Sequence, residues 1–143
     1  MGISDSSRRS PALTAINPED LAAPHGFSHG MMAPAGAAIL FIAGQIGWDR
    51  QQRIVSEIFS HQFRQALRNV ARVVIAAGGN VSQITRLTIY VIDKQEYLDD
   101  LKQIGEVYRE VMGRHYPAMA LLEVSALVEP EAKVEIEATA AIY

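Results

Sequence analysis

The sequence that decides the fold is the C-terminal segment Tyr116-Pro-Ala-Met-Ala-Leu-Leu-Glu-Val-Ser-Ala-Leu-Val-Glu-Pro-Glu-Ala-Lys-Val-Glu-Ile-Glu-Ala-Thr-Ala-Ala-Ile-Tyr143. Two runs rich in apolar residues flank the short acidic sequence Glu129-Pro130-Glu131. Such runs are typical of β-strands, and proline between charged residues is typical of a turn. The segment therefore predicts two strands joined by a turn, which we expect to pair as a hairpin.

The predicted last strand has one apolar face and one polar face. The apolar face consists of Val134, Ile136, Ala138, Ala140 and Ile142, and the polar face of Glu135, Glu137 and Thr139. The preceding strand is largely apolar on both faces: Met119, Leu121, Glu123, Ser125 and Leu127 on one, and Ala118, Ala120, Leu122, Val124, Ala126 and Val128 on the other. If helices cover only one face of the sheet, the other face needs a second subunit, and we expect an oligomer.

Helices and strands alternate in the rest of the chain. The pattern predicts a hairpin over 31–43 that turns near Pro34-Ala35-Gly36 and a helix over 57–77 that ends at Gly78-Gly79-Asn80. It also predicts a strand over 84–92 and a second helix between Asp93 and Gly113. Asp93 and Glu96 have the spacing of an N-cap and its reciprocal partner. The continuously apolar run Ala38–Ala43 predicts a strand buried on both faces. Crossover connections of one hand place both helices on the same side of one sheet, so the predicted class is α+β.

Composition narrows the classes of function. The chain has 143 residues, 49% of them apolar and 20% charged, which is typical of one globular domain. We expect a flexible N-terminal arm over 1–22, which contains Arg8 and Arg9, and a single domain over 23–143. The net charge of −3 and the lack of a basic stripe argue against a nucleic-acid partner. Because cysteine, a long apolar run and a signal-peptide core are all absent, we expect a cytoplasmic protein without membrane contact.

Three groups of residues have a chemical interpretation and a structural alternative. Glu135 and Glu137 share a strand face, where they form either catalytic carboxylates or a solvated surface. His25 and His29 are four residues apart, but the proline and glycines around them argue against the helix that such a metal site needs. His29 is instead interpreted as a polar group that lines a cleft. Gly44 indicates a close approach of backbone or ligand at a strand end. We expect neither a metal nor a cofactor.

Short motifs extend from Pro24 to Tyr143. They are Gly26-Phe27-Ser28-His29-Gly30, Gly44-Gln45-Ile46, Gln65-Ala66-Leu67-Arg68-Asn69-Val70, Ala76-Ala77-Gly78, Tyr90-Val91-Ile92-Asp93, Tyr116-Pro117-Ala118, Glu123-Val124 and Lys133-Val134-Glu135-Ile136-Glu137-Ala138. Their order and spacing resemble the RidA/YjgF/L-PSP family. The resemblance implies a chorismate-mutase-like fold with one mixed β-sheet and two helices packed on one face. It also implies a homotrimer that hydrolyses enamines or imines in clefts between its subunits.

The resemblance further assigns residues to the cleft. Glu135 corresponds to the catalytic glutamate that positions or activates the attacking water, and Gly44 to a glycine whose backbone completes the cleft. Four substrate-binding positions depart from the usual pattern: Phe27 stands for a tyrosine, His29 for a glutamine, Leu121 for a cysteine, and Met119 for the arginine that binds the substrate carboxylate. Methionine is apolar and flexible, whereas arginine supplies two charged hydrogen bonds. The predicted substrate is therefore larger and less acidic than 2-iminopropionate.

Three functions are compatible with these residues. The first is the hydrolysis of an enamine or imine, a deaminase-type reaction with Glu135 as the catalytic residue. The second is a non-catalytic trimer that binds a small molecule or has a regulatory role. The third is the endoribonuclease or translation-inhibitor activity often attached to this family, which the acidic net charge disfavours.

Overall fold

The computed structural model describes residues 10–143 of the chain, so that Arg8 and Arg9 of the predicted arm lie outside the described residues. The strands are β1 (Thr14–Ile16), β2 (Gly30–Met32), β3 (Ala38–Ile46), β4 (Ile84–Val91), β5 (Ala118–Glu123) and β6 (Val134–Ile142). The helices are α1 (Phe59–Ala76), α2 (Lys94–Asp99) and α3 (Leu101–Met112), and one turn of 3₁₀ helix spans Val81–Gln83. Within residues 10–143, no helix combines the length and apolar character needed to cross a membrane.

One four-stranded sheet forms the centre of the fold, with its strands in the order β3, β6, β4, β5. β5 runs parallel to β4, whereas β6 is antiparallel to both of its neighbours. The sheet is therefore mixed, and the predicted α+β class is confirmed. The predicted C-terminal hairpin is wrong, because β4 lies between β5 and β6: Leu87 is opposite Met119 on one side and Ala138 on the other. The parallel pair needs a crossover, which α2 and α3 provide.

The first predicted hairpin is also wrong, although its turn forms. The Ala37 N–H donates to the Pro34 carbonyl at 3.3 Å, and Gly36 has a φ of 82°, which favours glycine. β2 pairs with β1, where Thr14 lies opposite Met32, whereas β3 pairs with β6. Because β1 and β2 form a sheet of their own, part of the predicted arm is a strand. The domain boundary between 22 and 23 stays a prediction.

The first predicted helix forms as α1, which covers one side of the sheet. Its apolar residues Phe63, Leu67, Val70 and Val74 are buried, and the helix packs against β3, β6 and α3. Gly78 follows the helix with a φ of 86°, a conformation that lets the chain turn away, as the sequence predicts.

The second predicted helix is two helices. The helix is interrupted between α2 and α3 at Asp100, whose φ of −127° is not helical. Asp93 caps α2 as predicted, since its carboxylate accepts a hydrogen bond from the Gln95 N–H at 2.9 Å. Glu96 is not the reciprocal partner of Asp93. Its Oε2 accepts a hydrogen bond from Lys133 Nζ at 3.2 Å, and a charged partner is stronger than a backbone N–H.

The two faces of the main sheet differ in burial. In β6 the predicted apolar residues Val134, Ile136, Ala138 and Ala140 are buried under the helices, whereas Glu137 is exposed. The predicted burial of β3 on both faces is wrong for a single chain, because Phe41 is 80% exposed and Ile39 is 54% exposed. A single chain therefore leaves large apolar side chains in water on the uncovered face of its sheet.

Candidate functional site

A cavity of about 670 Å³ lies between β5, the α2–α3 segment and residues 24–28. We call it the α3 cavity. Three predicted substrate-binding residues line it: Phe27, Met119 and Leu121. The two β5 residues are separated by one position, so both point to the side of the sheet that the helices cover. The α2–α3 segment contributes Tyr97, Leu101, Ile104, Gly105, Tyr108 and Arg109.

Hydrogen bonds to the chain just before β5 hold Phe27 in the wall of the α3 cavity. The Ser28 N–H donates to the Pro117 carbonyl at 3.1 Å, and the Ser28 hydroxyl donates to the Tyr116 carbonyl at 2.7 Å. Ser28 is buried, and these two bonds satisfy its polar groups where water has little access. The segment that precedes β2 is thereby fixed against the edge of the sheet.

Two tyrosines form another wall of the α3 cavity. The rings of Tyr108 and Tyr116 stack with centroids 5.4 Å apart and planes 9° apart, and the Tyr108 hydroxyl donates to the His115 carbonyl at 2.6 Å. Burial raises the pKa of Tyr108, and the neighbouring Tyr116 raises it further. Tyr108 therefore stays protonated at neutral pH, and its proton is already engaged. It shapes the cavity and is unsuited to acid–base chemistry.

Gly44 and Glu135 meet on the adjacent strands β3 and β6. A methyl group added to Gly44 would lie 2.6 Å from Glu135 Oε1 and 2.8 Å from Cδ, well inside van der Waals contact. Only glycine leaves room for this carboxylate against the β3 backbone. Both residues line a second cavity of about 220 Å³, together with Trp48 and Val128. Glu135 is half-buried, and no hydrogen bond or ion pair engages its carboxylate among the residues described.

The second carboxylate of this face, Glu137, has a partner. Tyr90 donates its hydroxyl to Glu137 Oε1 at 2.8 Å. This hydrogen bond to a carboxylate raises the pKa of Tyr90. Of the two glutamates on the strand face, Glu135 is therefore the one that is available to a ligand or a water molecule.

The predicted site residues fall into two sets on opposite sides of the sheet. Tyr90 lies opposite Glu135 in β6 and opposite Leu122 in β5, so these three residues share the uncovered face. Met119 and Leu121 belong to the covered face. Gly44 and Glu135 line the smaller cavity, and none of the residues of the α3 cavity is among those that line it.

His29 lies close to Phe27 but lines neither cavity. Its Nε2 is 2.7 Å from the Ala22 carbonyl oxygen, and its backbone N–H donates to Asn17 Oδ1 at 2.8 Å. The imidazole meets the Phe27 ring edge-on, with centroids 5.3 Å apart. In this arrangement His29 supports Phe27 from outside the α3 cavity. Across residues 10–143, no three side chains that bind metals lie close enough together to hold an ion.

Sequence reasoning does not identify Tyr97, Tyr108 and Arg109 as cavity residues. The two tyrosines repeat at the spacing of an apolar helix face, which is equally typical of a core. Arg109 has one local signal, the glycine four residues before it within a regular helix. A methyl group added to Gly105 would lie 3.3 Å from Arg109 Nη1, so the glycine leaves room for the guanidinium.

Comparison with known proteins identifies the class to which this fold and site belong. The family model for endoribonuclease L-PSP matches residues 18–142. A RutC family protein of Pyrococcus horikoshii is 37% identical over 102 residues, which cover 71% of this chain and 77% of the relative. The human 2-iminobutanoate/2-iminopropanoate deaminase is 30% identical over 117 residues, which cover 78% of this chain and 82% of the human protein.

Solved structures agree with the sequence comparison. A protein of unknown function from Yersinia pestis, YyfB of the conserved Rid protein family, has a TM-score of 0.80 at 32% identity, covering 91% of this chain and 98% of its own. Escherichia coli TdcF with bound serine has a TM-score of 0.63 at 31% identity and covers 94% of both chains. The chain belongs to the RidA/YjgF/L-PSP family, as its motifs predict. The family includes relatives named as imine deaminases.

Proposed function

We propose that the protein hydrolyses an enamine or imine at a site completed by two copies of the chain. The observation that carries the proposal is the unengaged carboxylate of Glu135 packed against Gly44. Relatives that are named 2-iminobutanoate/2-iminopropanoate deaminases support this reaction class. In this proposal the second cavity of one subunit faces the α3 cavity of its neighbour. Glu135 of one subunit and Met119 of the other then line the same site.

The uncovered sheet face supports an oligomer. Phe41 and Ile39 are both more than half exposed on that face, where a second subunit would bury them. We propose a homotrimer of about 47 kDa, three times the chain mass of 15.7 kDa, closed by cyclic symmetry. Light scattering measures this mass directly, and Phe41→Asp should lower it because a charge would be buried in the interface. A wild-type protein that stays monomeric would contradict both the trimer and the shared site.

The proposed chemistry needs a group that moves protons to and from water. Water adds to the carbon of the C=N bond while Glu135 accepts one of its protons, and the nitrogen receives a proton in turn. The resulting carbinolamine then eliminates ammonia and leaves the carbonyl product. A positioned general base contributes about 10²–10⁴-fold to such a step. The backbone of Gly44 lies beside the carboxylate and supplies polar groups without a side chain that would displace it.

The substrate should be larger than 2-iminopropionate and should not depend on a carboxylate next to the reacting carbon. Met119 supplies no charge at the position where the family resemblance expects an arginine, and the α3 cavity offers aromatic and aliphatic walls.

The same methionine favours a second candidate, a non-catalytic trimer that binds a small molecule. The third candidate, ribonuclease activity, has only the family's description in its favour and is opposed by the net charge of −3.

The test compares Glu135→Gln with Glu137→Gln, which removes a charge from the same strand face. An amino-acid oxidase generates 2-imino-3-phenylpropionate in the cuvette, and the carbonyl product is followed. We expect kcat/KM to fall by about 100-fold or more in the first variant and to stay within about threefold in the second. Wild-type protein that binds the unreactive 3-phenylpropionate but hydrolyses no imine would favour the binding trimer over the enzyme.

A further inference from the structure

We infer that Arg109 is the anion-binding residue of the α3 cavity, so that this cavity takes monocarboxylates with an apolar body. The inference builds on the proposed function, in which the α3 cavity holds the substrate. In this inference the positive charge that binds the acid belongs to Arg109 on α3, and not to the residue at position 119 on β5, where the family resemblance expects an arginine. The acid group would then lie at the end of the ligand that contacts α3.

The first support is the contact between Arg109 and Gly105. Side chains on a helix lean towards its N-terminus, so residue 109 covers the turn that contains residue 105. The guanidinium of Arg109 lies 3.3 Å from where a Gly105 methyl would be, close against the helix. Glycine inside a helix is unfavourable compared with alanine, and here it gives the guanidinium room beside the cavity.

The second support is charge. Arg109 is the one lysine or arginine that lines the α3 cavity within the described part of the chain. Other basic residues are engaged: Arg64 and Arg68 with Glu110, and Lys133 with Glu96. Arg109 forms no ion pair with any residue from 10 to 143, and its side chain is exposed. A single permanent cation fits one negative charge, and the planar guanidinium binds carboxylates through two parallel hydrogen bonds.

The third support is the apolar surroundings of this cation. Phe27, Ile104 and Met119 line the same cavity, which is large enough for a ring and a short chain. These walls contact the apolar body of the ligand, and Arg109 binds its charged group. A small, strongly hydrated acid would fill little of this space, whereas an arylalkanoate would use both the walls and the cation.

The experiment measures binding of 3-phenylpropionate and of its uncharged analogue, 3-phenylpropanamide, to the intact protein by calorimetry. We expect the acid to bind wild type at least about tenfold more tightly than the amide, since charged hydrogen bonds are involved. Arg109→Gln should abolish this preference. Lys102→Gln is the matched control, because it removes a positive charge from the same helix outside the cavity, and it should retain the preference. Equal binding of acid and amide to wild type, or a preference that survives Arg109→Gln, would overturn the inference.

Gly105→Ala provides a second variant that keeps the arginine. Its methyl group should shift the guanidinium by a few tenths of an ångström, so the acid should bind more weakly than to wild type but more tightly than to Arg109→Gln, while binding of the amide is unchanged. Glu135→Gln separates this inference from the proposed reaction, since it should keep the acid preference and lose turnover. If Glu135→Gln keeps full turnover while Arg109→Gln loses the acid preference, Glu135 is not the catalytic residue and the binding assignment of Arg109 stands. If Glu135→Gln loses turnover while Arg109→Gln keeps the acid preference, the assignment of Arg109 is refuted and the proposed reaction stands.

Discussion

Gly44 and Glu135 lie so close on adjacent strands that no side chain fits between them. Gly44→Ala should therefore push the Glu135 carboxylate aside and lower kcat/KM for the imine by about tenfold or more. The fold should tolerate the change, because the displaced atoms are the far end of a side chain. The assay is the imine hydrolysis described above, combined with thermal unfolding. Gly30→Ala is the control, since its methyl would meet Ile16 at an ordinary 3.5 Å. Unchanged turnover in Gly44→Ala would show that the position of Glu135 is not used.

Met119→Arg should add activity towards 2-iminopropionate. Wild type lacks the carboxylate-binding arginine at this position, and two charged hydrogen bonds correspond to a loss of at least about tenfold to a few hundredfold in kcat/KM. The variant should recover part of this factor in a coupled assay that produces the imine in place. Met32→Arg, the same change at an exposed position of β2, should have no effect. If wild type already matches an arginine-bearing relative, another residue binds this carboxylate.

Gln62→Leu should destabilise the protein by about 3 kcal/mol or more. Gln62 is fully buried, and its amide donates to the Ser56 and Glu131 carbonyls at 2.9 and 3.1 Å. Its Oε1 accepts a hydrogen bond from the Lys133 N–H at 2.8 Å. Leucine leaves these three backbone groups without partners. Denaturant unfolding at a fixed protein concentration measures the loss, and Gln103→Leu on α3 should stay within about 0.5 kcal/mol of wild type.

Tyr108→Phe should change how stability depends on pH. Burial raises the pKa of Tyr108 in the folded protein, whereas the pKa of a tyrosine in an unfolded chain is about 10. The stability that this difference contributes is complete below about pH 10 and is lost as the pH rises towards the folded-state pKa. The free energy of unfolding of wild type should therefore fall more steeply above about pH 10 than that of the variant. Parallel curves for the two proteins would contradict this.

Near neutral pH the same variant should be destabilised by about 1 kcal/mol, because the hydrogen bond to the His115 carbonyl is lost. Tyr97→Phe is the control for the loss of a tyrosine hydroxyl in itself, because the Tyr97 hydroxyl forms no hydrogen bond with any residue from 10 to 143.

Local patterns in the sequence predict most elements of this fold but not their partners, and they miss strand β1 and the break between α2 and α3. The helical spacing of Phe63, Leu67 and Val70 and the glycine at Gly78 place α1 correctly, because both are properties of neighbouring residues. The order of the strands depends on contacts between residues far apart in sequence. The acidic turn after β5 therefore suggests a hairpin, although β4 takes the position between β5 and β6.

The candidate site divides in the same way. The motifs identify Glu135, Gly44 and Met119, and the alternation of strand residues shows which residues of one strand share a face. Glu135 and Met119 point to opposite sides of the sheet because of the register in which β5 and β6 pair with β4. No local pattern in the sequence predicts this register. Arg109 is found only when the helix is placed against β5, since on its own it is one of several surface arginines.

The position of β6 has a consequence for how the chain acquires its structure during synthesis. β3 has β6 as its one neighbour in the main sheet, and Val134–Ile142 is translated after every other strand. A nascent chain that has not yet reached Val134 therefore holds Ile42 and Phe41 on a strand without a partner. The main sheet closes only when β6 has left the ribosome, and until then the exposed apolar side chains and unpaired edge of this strand favour aggregation.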